Sequence, residues 1–120
     1  MISVVDDDEV VRDSLSALLS RQYAVLEFAS GADYLGRAAG IAPGCLLVDM
    51  HMPEMTGIEL LKILRTQGDS VPTVMMTGRR DAAIAADAKA LGVVALLDKP
   101  VAHTALYAAI EKALASSSAG

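Results

Sequence analysis

Three aspartates, a threonine and a lysine stand out because each lies at the end of an apolar run. Asp6 and Asp7 close the run in VVDDDE (4–9), Asp49 that in LLVDMHMPEMTG (46–57), Thr77 that in VMMTG (74–78) and Lys99 that in LLDKP (96–100). Carboxylates are hard oxygen ligands, and Mg²⁺ takes one or two of them while keeping waters and binding phosphate. A carboxylate can also accept a phosphoryl group and become an acyl phosphate. Such a transfer needs in-line placement and neutralisation of the equatorial oxygens. A cation can cover one oxygen, the Lys99 ammonium a second, and the Thr77 hydroxyl with a nearby backbone N–H the third. Singly, these residues have plainer explanations. Asp6, Asp7 and Asp8 fit helix caps as well as ligands, Lys99 fits a solvated strand end, and Thr77 fits a loop hydroxyl. Asp49 resists the capping explanation, because it follows CLLV and precedes a long loop.

This chemistry requires all five groups on one edge, and the order of elements supplies that edge. Strands are expected at 2–5, 23–28, 45–48, 73–76 and 93–97, where short apolar or alternating runs are bounded by polar and turn residues. Helix-period segments follow each one. The first carries Val10, Val11, Leu15, Leu18 and Leu19, capped by Asp8 or Asp7. A short, weak helix around Tyr34 and Leu35 follows Ser30-Gly31 and ends in the turn-rich stretch 40–44. The third carries Ile58, Leu60, Leu61, Ile63 and Leu64 and stops at Gly68. Asp81 caps an alanine-rich fourth helix that ends at Leu91-Gly92. The last runs from about 101 to 115, with Leu106, Ile110 and Leu114 on one face. The expected fold is therefore α/β, a (βα)5 doubly wound parallel sheet with right-handed crossovers. The flavodoxin-like strand order 2-1-3-4-5 gathers strands 1, 3, 4 and 5 at the switch point, where open sheets of this class bind ligands.

Composition narrows the functional classes. A chain of 120 residues reads as one domain, and 53% hydrophobic against 21% charged residues excludes a disordered chain. A net charge of −5 and 3% aromatics leave neither a basic footprint nor stacking platforms, so direct nucleic-acid binding is not expected. The one cysteine, Cys45, opens an apolar run, so it is read as buried and inert, in a reducing, cytoplasmic compartment. No apolar run approaches the roughly 18 residues of a membrane span, and no basic region precedes the first apolar stretch. Residues 1–115 are expected to form the domain, with SSSAG (116–120) a flexible linker or an artificial end.

Taken together, VVDD (4–7), LLVDMHMPEMTG (46–57), TVMMTG (73–78) and LLDKP (96–100) resemble the receiver domain of two-component response regulators over essentially the whole chain. The segment from Thr77 to Asp81 (TG-x-x-D) is similar to receivers that precede LuxR-type helix-turn-helix output domains. The resemblance implies that Asp49 is the phosphoacceptor. It implies Mg²⁺ bound by Asp7 directly, by Asp6 mainly through water, by Asp49 and by the His51 backbone carbonyl. Thr77 and Lys99 would hold the phosphoryl group, the Lys99–Pro100 bond would be cis, and Gly57 would permit the turn into the third helix. It also implies a histidine kinase or phosphotransfer protein as donor. A fused DNA-binding output domain and a phosphorylation-dependent homodimer would be the means of transcription regulation. As a signalling module, such a domain catalyses only its own phosphorylation and dephosphorylation.

One position departs from the pattern: Leu96 stands where many receivers place an aromatic residue that swings inward when the threonine moves. Threonine–aromatic coupling in its usual form is therefore not expected, and the switch would run through the loop after Thr77 and the following helix. His51 and Arg79 each follow a site residue by two places, so both side chains are expected to flank the site and to set the acyl phosphate lifetime. The methionines around the site (Met50, Met52, Met55, Met75, Met76) read as packing, since soft ligands do not suit a hard ion. His103 reads as a surface residue of the last helix. The rival reading is a haloacid-dehalogenase-type phosphohydrolase that would use Asp6 and Asp8. A third reading, a receiver that binds partners without phosphate, leaves the full set of five polar groups unexplained.

Overall fold

The computed structural model describes residues 1–37 and 43–119, with side chains to residue 116. Five strands and five helices alternate: β1 (Ile2–Val5), α1 (Glu9–Leu19), β2 (Val25–Phe28), α2 (Gly31–Arg37), β3 (Cys45–Asp49), α3 (Gly57–Thr66), β4 (Thr73–Thr77), α4 (Ala82–Ala90), β5 (Ala95–Asp98) and α5 (His103–Ala119). The strands form one parallel sheet in the order β2-β1-β3-β4-β5, as the sequence leads one to expect.

The sheet is buried on both sides because its central strands are mostly apolar, with the buried polar residues Ser3, Asp49, Thr73 and Thr77 as exceptions. Period-2 alternation divides their side chains between two cores. Val5, Leu46, Val48 and Met75 pack under α2, α3 and α4, with Tyr34, Ile58, Leu61 and Ala88. Ile2, Val4, Cys45, Leu47, Val74 and Met76 pack on the other face, under α1 and α5, with Leu15, Leu19, Leu106 and Ile110. Each fully buried Leu, Ile or Met stabilises the fold by about 1.5–3 kcal/mol. The Tyr107 hydroxyl donates to the Leu18 carbonyl at 3.0 Å and ties α5 to α1.

Helix starts follow local capping. Asp8 accepts from the N–H groups of Val10 and Val11, Thr56 and Glu59 form a reciprocal capping box, and Asp81 accepts from Ile84 N–H. Gly68 (φ 81°) and Gly92 (φ 75°) follow the ends of α3 and α4 in the left-handed region.

Several boundaries differ from those expected. β2 begins at Val25 rather than 23, and its middle residues are exposed, as befits an edge strand. β5 begins at Ala95 rather than 93, because the Val93 N–H is taken by the Ala88 carbonyl at the end of α4. Helix α5 runs to Ala119, so the backbone of 116–119 is helical where a flexible linker was expected. The Ser116 hydroxyl there donates to the Lys112 carbonyl at 3.2 Å, an i−4 bond that lets serine remain in a helix. Of the turn-rich stretch 40–44, residues 40–42 lie outside the described residues.

Candidate functional site

The carboxyl ends of β1, β3, β4 and β5 converge as the strand order requires. Asp6 is fully buried just past β1, and Asp49 is 3% exposed at the end of β3. Asp7 lies at the surface beside them, and the three carboxylates each offer an oxygen within 4.8 Å of the others. Lys99 reaches in from the end of β5. Its Nζ lies 3.2 Å from Asp6 Oδ2 and 3.2 Å from Asp49 Oδ1, so one ammonium bridges both buried acids. Three carboxylates against one ammonium leave an excess of negative charge. Hard oxygens and surplus charge are the donor chemistry of a divalent cation of the Mg²⁺ type.

Burial, followed by the nearby Asp6 charge, pushes the Asp49 carboxyl above the usual carboxylate range, against the opposing pull of Lys99 and the His51 N–H. Lys99 shows the converse balance. Burial works against its charge, but Asp49 and Asp6 overcome it and raise the ammonium above its ordinary value.

Asp6 is fixed at both its side chain and its carbonyl: its Oδ1 accepts the Asp8 N–H at 2.9 Å, and its carbonyl accepts the Arg12 side-chain Nη1 at 2.8 Å. Arg12 also pairs with Glu27 of β2 at 3.5 Å. Nothing in the spacing of the sequence marks Arg12 as a support for the site. The loop after β3 is held by Met50 N–H on the Met76 carbonyl (2.7 Å) and by Gly57 N–H on the Met50 carbonyl (3.0 Å). A Cβ on Gly57 would stand 2.7 Å from the Asp49 carbonyl oxygen, closer than real contacts allow. Glycine is needed there for close approach of the backbone, not for a left-handed turn, since only Gly68 and Gly92 among the described glycines have positive φ. The Lys99–Pro100 bond is cis, as the resemblance implies.

Thr77 is fully buried at the end of β4. Its hydroxyl donates to the Arg79 carbonyl at 3.0 Å, accepts the Arg79 N–H at 3.1 Å, and lies 2.9 Å from His51 Nε2. His51 therefore does flank the site, but Arg79 meets it through its backbone. The Arg79 side chain is exposed and makes no hydrogen bond or ion pair among the described residues, so only His51 of the two expected side chains contacts a site residue. The next residue, Arg80, has no spacing signal in the sequence. It spans to β5, bonding the Leu96 carbonyl and Asp98 Oδ1 (3.1 Å).

Asp8 caps α1 and stands outside the acidic cluster, so the Asp6/Asp8 pairing of the phosphohydrolase reading fails on geometry. Met52, Met75 and Met76 are buried, with Met50 and Met55 packed against the core, as expected of packing residues. Cys45 is fully buried, and burial pushes its thiol up to about 12, which makes it inert as a nucleophile. His103 is exposed and lines an apolar groove of about 450 Å³ with Val10, Val11, Leu15 and Lys99, between α1 and α5.

The family "response regulator receiver domain" matches residues 2–111. The transcriptional regulatory protein FixJ of Azorhizobium caulinodans is 38% identical over 117 residues, covering 97% of this chain and 56% of the relative. The tetrathionate response regulatory protein TtrR of Salmonella typhimurium is 38% identical over 119 residues, covering 98% and 58%. The crystal structure of FixJ-N superposes with a TM-score of 0.87 at 35% identity, over 95% of this chain and 92% of that one. The response regulator StyR gives 0.91 at 35% identity, over 98% and 60%. The chain belongs to the response regulator receiver domain family. It spans a little over half the length of the curated relatives it matches. No described helix is long and apolar enough to cross a membrane.

Proposed function

We propose that this chain is a phosphorylation-driven switch in which Asp49 is the acceptor. The observation that carries the reading is the single ammonium of Lys99, shared at 3.2 Å by Asp49 and Asp6 beside Asp7. Asp49 attacks the phosphorus of a phosphohistidine on a histidine kinase or phosphotransfer protein, or of a small phosphodonor. The P–N bond of the phosphohistidine, or the P–O bond of a small acyl phosphate donor, breaks with its electron pair staying on the donor nitrogen or oxygen, and a new O–P bond forms on the carboxylate. Lys99 stays with the charge as it moves from the carboxylate onto the phosphoryl oxygens. Asp6, Asp7, Asp49 and the His51 carbonyl would hold Mg²⁺, which when bound supplies the remaining charge neutralisation. The domain catalyses only its own phosphorylation and the later hydrolysis of the acyl phosphate.

The readout is a changed surface around β4 and β5. The phosphoryl group adds about −1.5 to −2 of charge and strong acceptors next to Thr77. The hydroxyl is drawn toward it and the segment 77–81 follows. Leu96 at the middle of β5 provides no ring for an aromatic swing, so the segment itself carries the signal to α4 and β5. The output is a fused DNA-binding domain, a partner or a homodimer, in the cytoplasm. FixJ and TtrR, named as regulatory proteins, support an output in transcription.

Incubation with acetyl phosphate and Mg²⁺, followed by mass mapping, tests the reading. One phosphoryl group should appear, lost in Asp49→Asn and retained in Asp6→Asn at reduced rate. Retention in Asp49→Asn with loss in Asp6→Asn would instead indicate phosphohydrolase chemistry.

A further inference from the structure

His51 makes two contacts that no other described residue combines. Its backbone N–H donates to Asp49 Oδ1 at 3.3 Å, and its ring Nε2 lies 2.9 Å from the Thr77 hydroxyl. One residue thus joins the candidate acceptor to the hydroxyl that should respond to it. The Thr77 hydroxyl has one proton and two lone pairs. With its proton on the Arg79 carbonyl, both lone pairs are filled, one by the Arg79 N–H and the other by His51 Nε2–H. The hydroxyl is saturated in this arrangement. A fully ionised phosphoryl group offers only acceptors. Thr77 can serve it only by taking its proton off the Arg79 carbonyl, and any movement of the hydroxyl toward Asp49 also strains its contact with His51 Nε2.

We propose that His51 is a positioning residue that holds Thr77 in its unphosphorylated place and so sets how readily the switch turns. The inference rests on the reading of Asp49 as phosphoacceptor. The His51–Thr77 bond exists on one side of the equilibrium only, so it biases that equilibrium by its full net worth. The ring acts through the hydroxyl, not on the phosphorus. Its removal should ease the switch, whereas loss of a group that assists transfer would hinder it.

The test is a titration with beryllofluoride, a phosphoryl mimic, in Mg²⁺, for the parent, His51→Ala, Thr77→Ala and the double variant. A hydrogen bond of ordinary net strength converts to about 3- to 10-fold. His51→Ala should therefore bind beryllofluoride about 3- to 10-fold more tightly than the parent, and His51→Gln, which keeps a donor, should fall between the two. In the Thr77→Ala background the His51→Ala effect should vanish. The methyl resonance of Thr77 in unliganded His51→Ala should move toward its position in the beryllofluoride-bound parent. Weaker or unchanged binding in His51→Ala, or an equal effect with and without the Thr77 hydroxyl, overturns the inference and leaves the acceptor reading standing. No response in the parent, or a response that survives Asp49→Asn, overturns both.

Discussion

The two halves of the sheet edge are built differently. On the β1–β3 side, every strand residue is buried, and the groups that would do chemistry are braced by short bonds from backbone, Arg12 and Lys99. On the β4–β5 side, β4 is as buried as β1 and β3, but β5 is only half-buried, and beyond the buried Thr77 the segment 77–81 is tied to β5 by the exposed Arg80 side chain. Local stability follows buried contacts and protected bonds, so the second side is the one that can rearrange at low cost. On the proposed reading, the difference separates a place where charge is received from a place where its arrival is felt.

The largest expected effects lie on the chemical side. Lys99→Ala should slow phosphorylation by acetyl phosphate about 10²- to 10³-fold, the usual cost of removing a preorganised partner of developing charge. Rates within threefold of the parent would remove the lysine from the transfer step. Gly57→Ala should cost about 2–3 kcal/mol in urea unfolding, because the new methyl meets backbone at the Asp49 carbonyl and not a flexible side chain. An unchanged midpoint would show that the loop can yield there.

Metal and charge sharpen the same contrast. The folded chain holds a proton on Asp49 at pH values where the unfolded chain has released it. Stability from this group therefore falls as pH rises from the ordinary carboxylate value through the raised one. Asp49→Asn should melt above the parent in EDTA at pH 7. Mg²⁺ at a hundredfold excess over its Kd should stabilise the parent by about 2.7 kcal/mol and reverse that order. A melting curve that is indifferent to Mg²⁺ would contradict the cation site.

The smallest effects belong to the readout side. Asp81→Ala removes the cap of α4 and should cost about 1 kcal/mol. Arg80→Ala breaks a pair whose side chains are 44% and 67% exposed, and should cost less than 1 kcal/mol. A cost above 2 kcal/mol for Arg80→Ala would mean that β5 is anchored as firmly as β3.

The same contrast governs what the sequence discloses. The order of the strands and the meeting of Asp6, Asp7, Asp49 and Lys99, with Thr77 at the end of the neighbouring strand, can be read directly, since buried parallel strands are near-continuous apolar runs and each ends on a polar residue. The limits of β2, β5 and α5 are displaced by two to four residues, because half-exposed elements carry mixed patterns and helix ends depend on single hydrogen bonds. The role of Gly57 escapes a reading based on turns alone, because close approach of two backbone segments is a property of the fold. The His51–Thr77 bond escapes for a related reason. The two residues stand 26 positions apart, His51 in the loop after β3 and Thr77 at the end of β4, and only the pairing of β3 with β4 brings them together.

Amide hydrogen exchange with and without beryllofluoride, in Mg²⁺, tests most directly whether charge received at one side is felt at the other. The expected result is altered exchange in residues 77–81, α4 and β5, with β1 and β3 unchanged apart from the amides next to Asp49. Protection changes confined to β1 and β3, with 77–81 and β5 unmoved, would contradict the account.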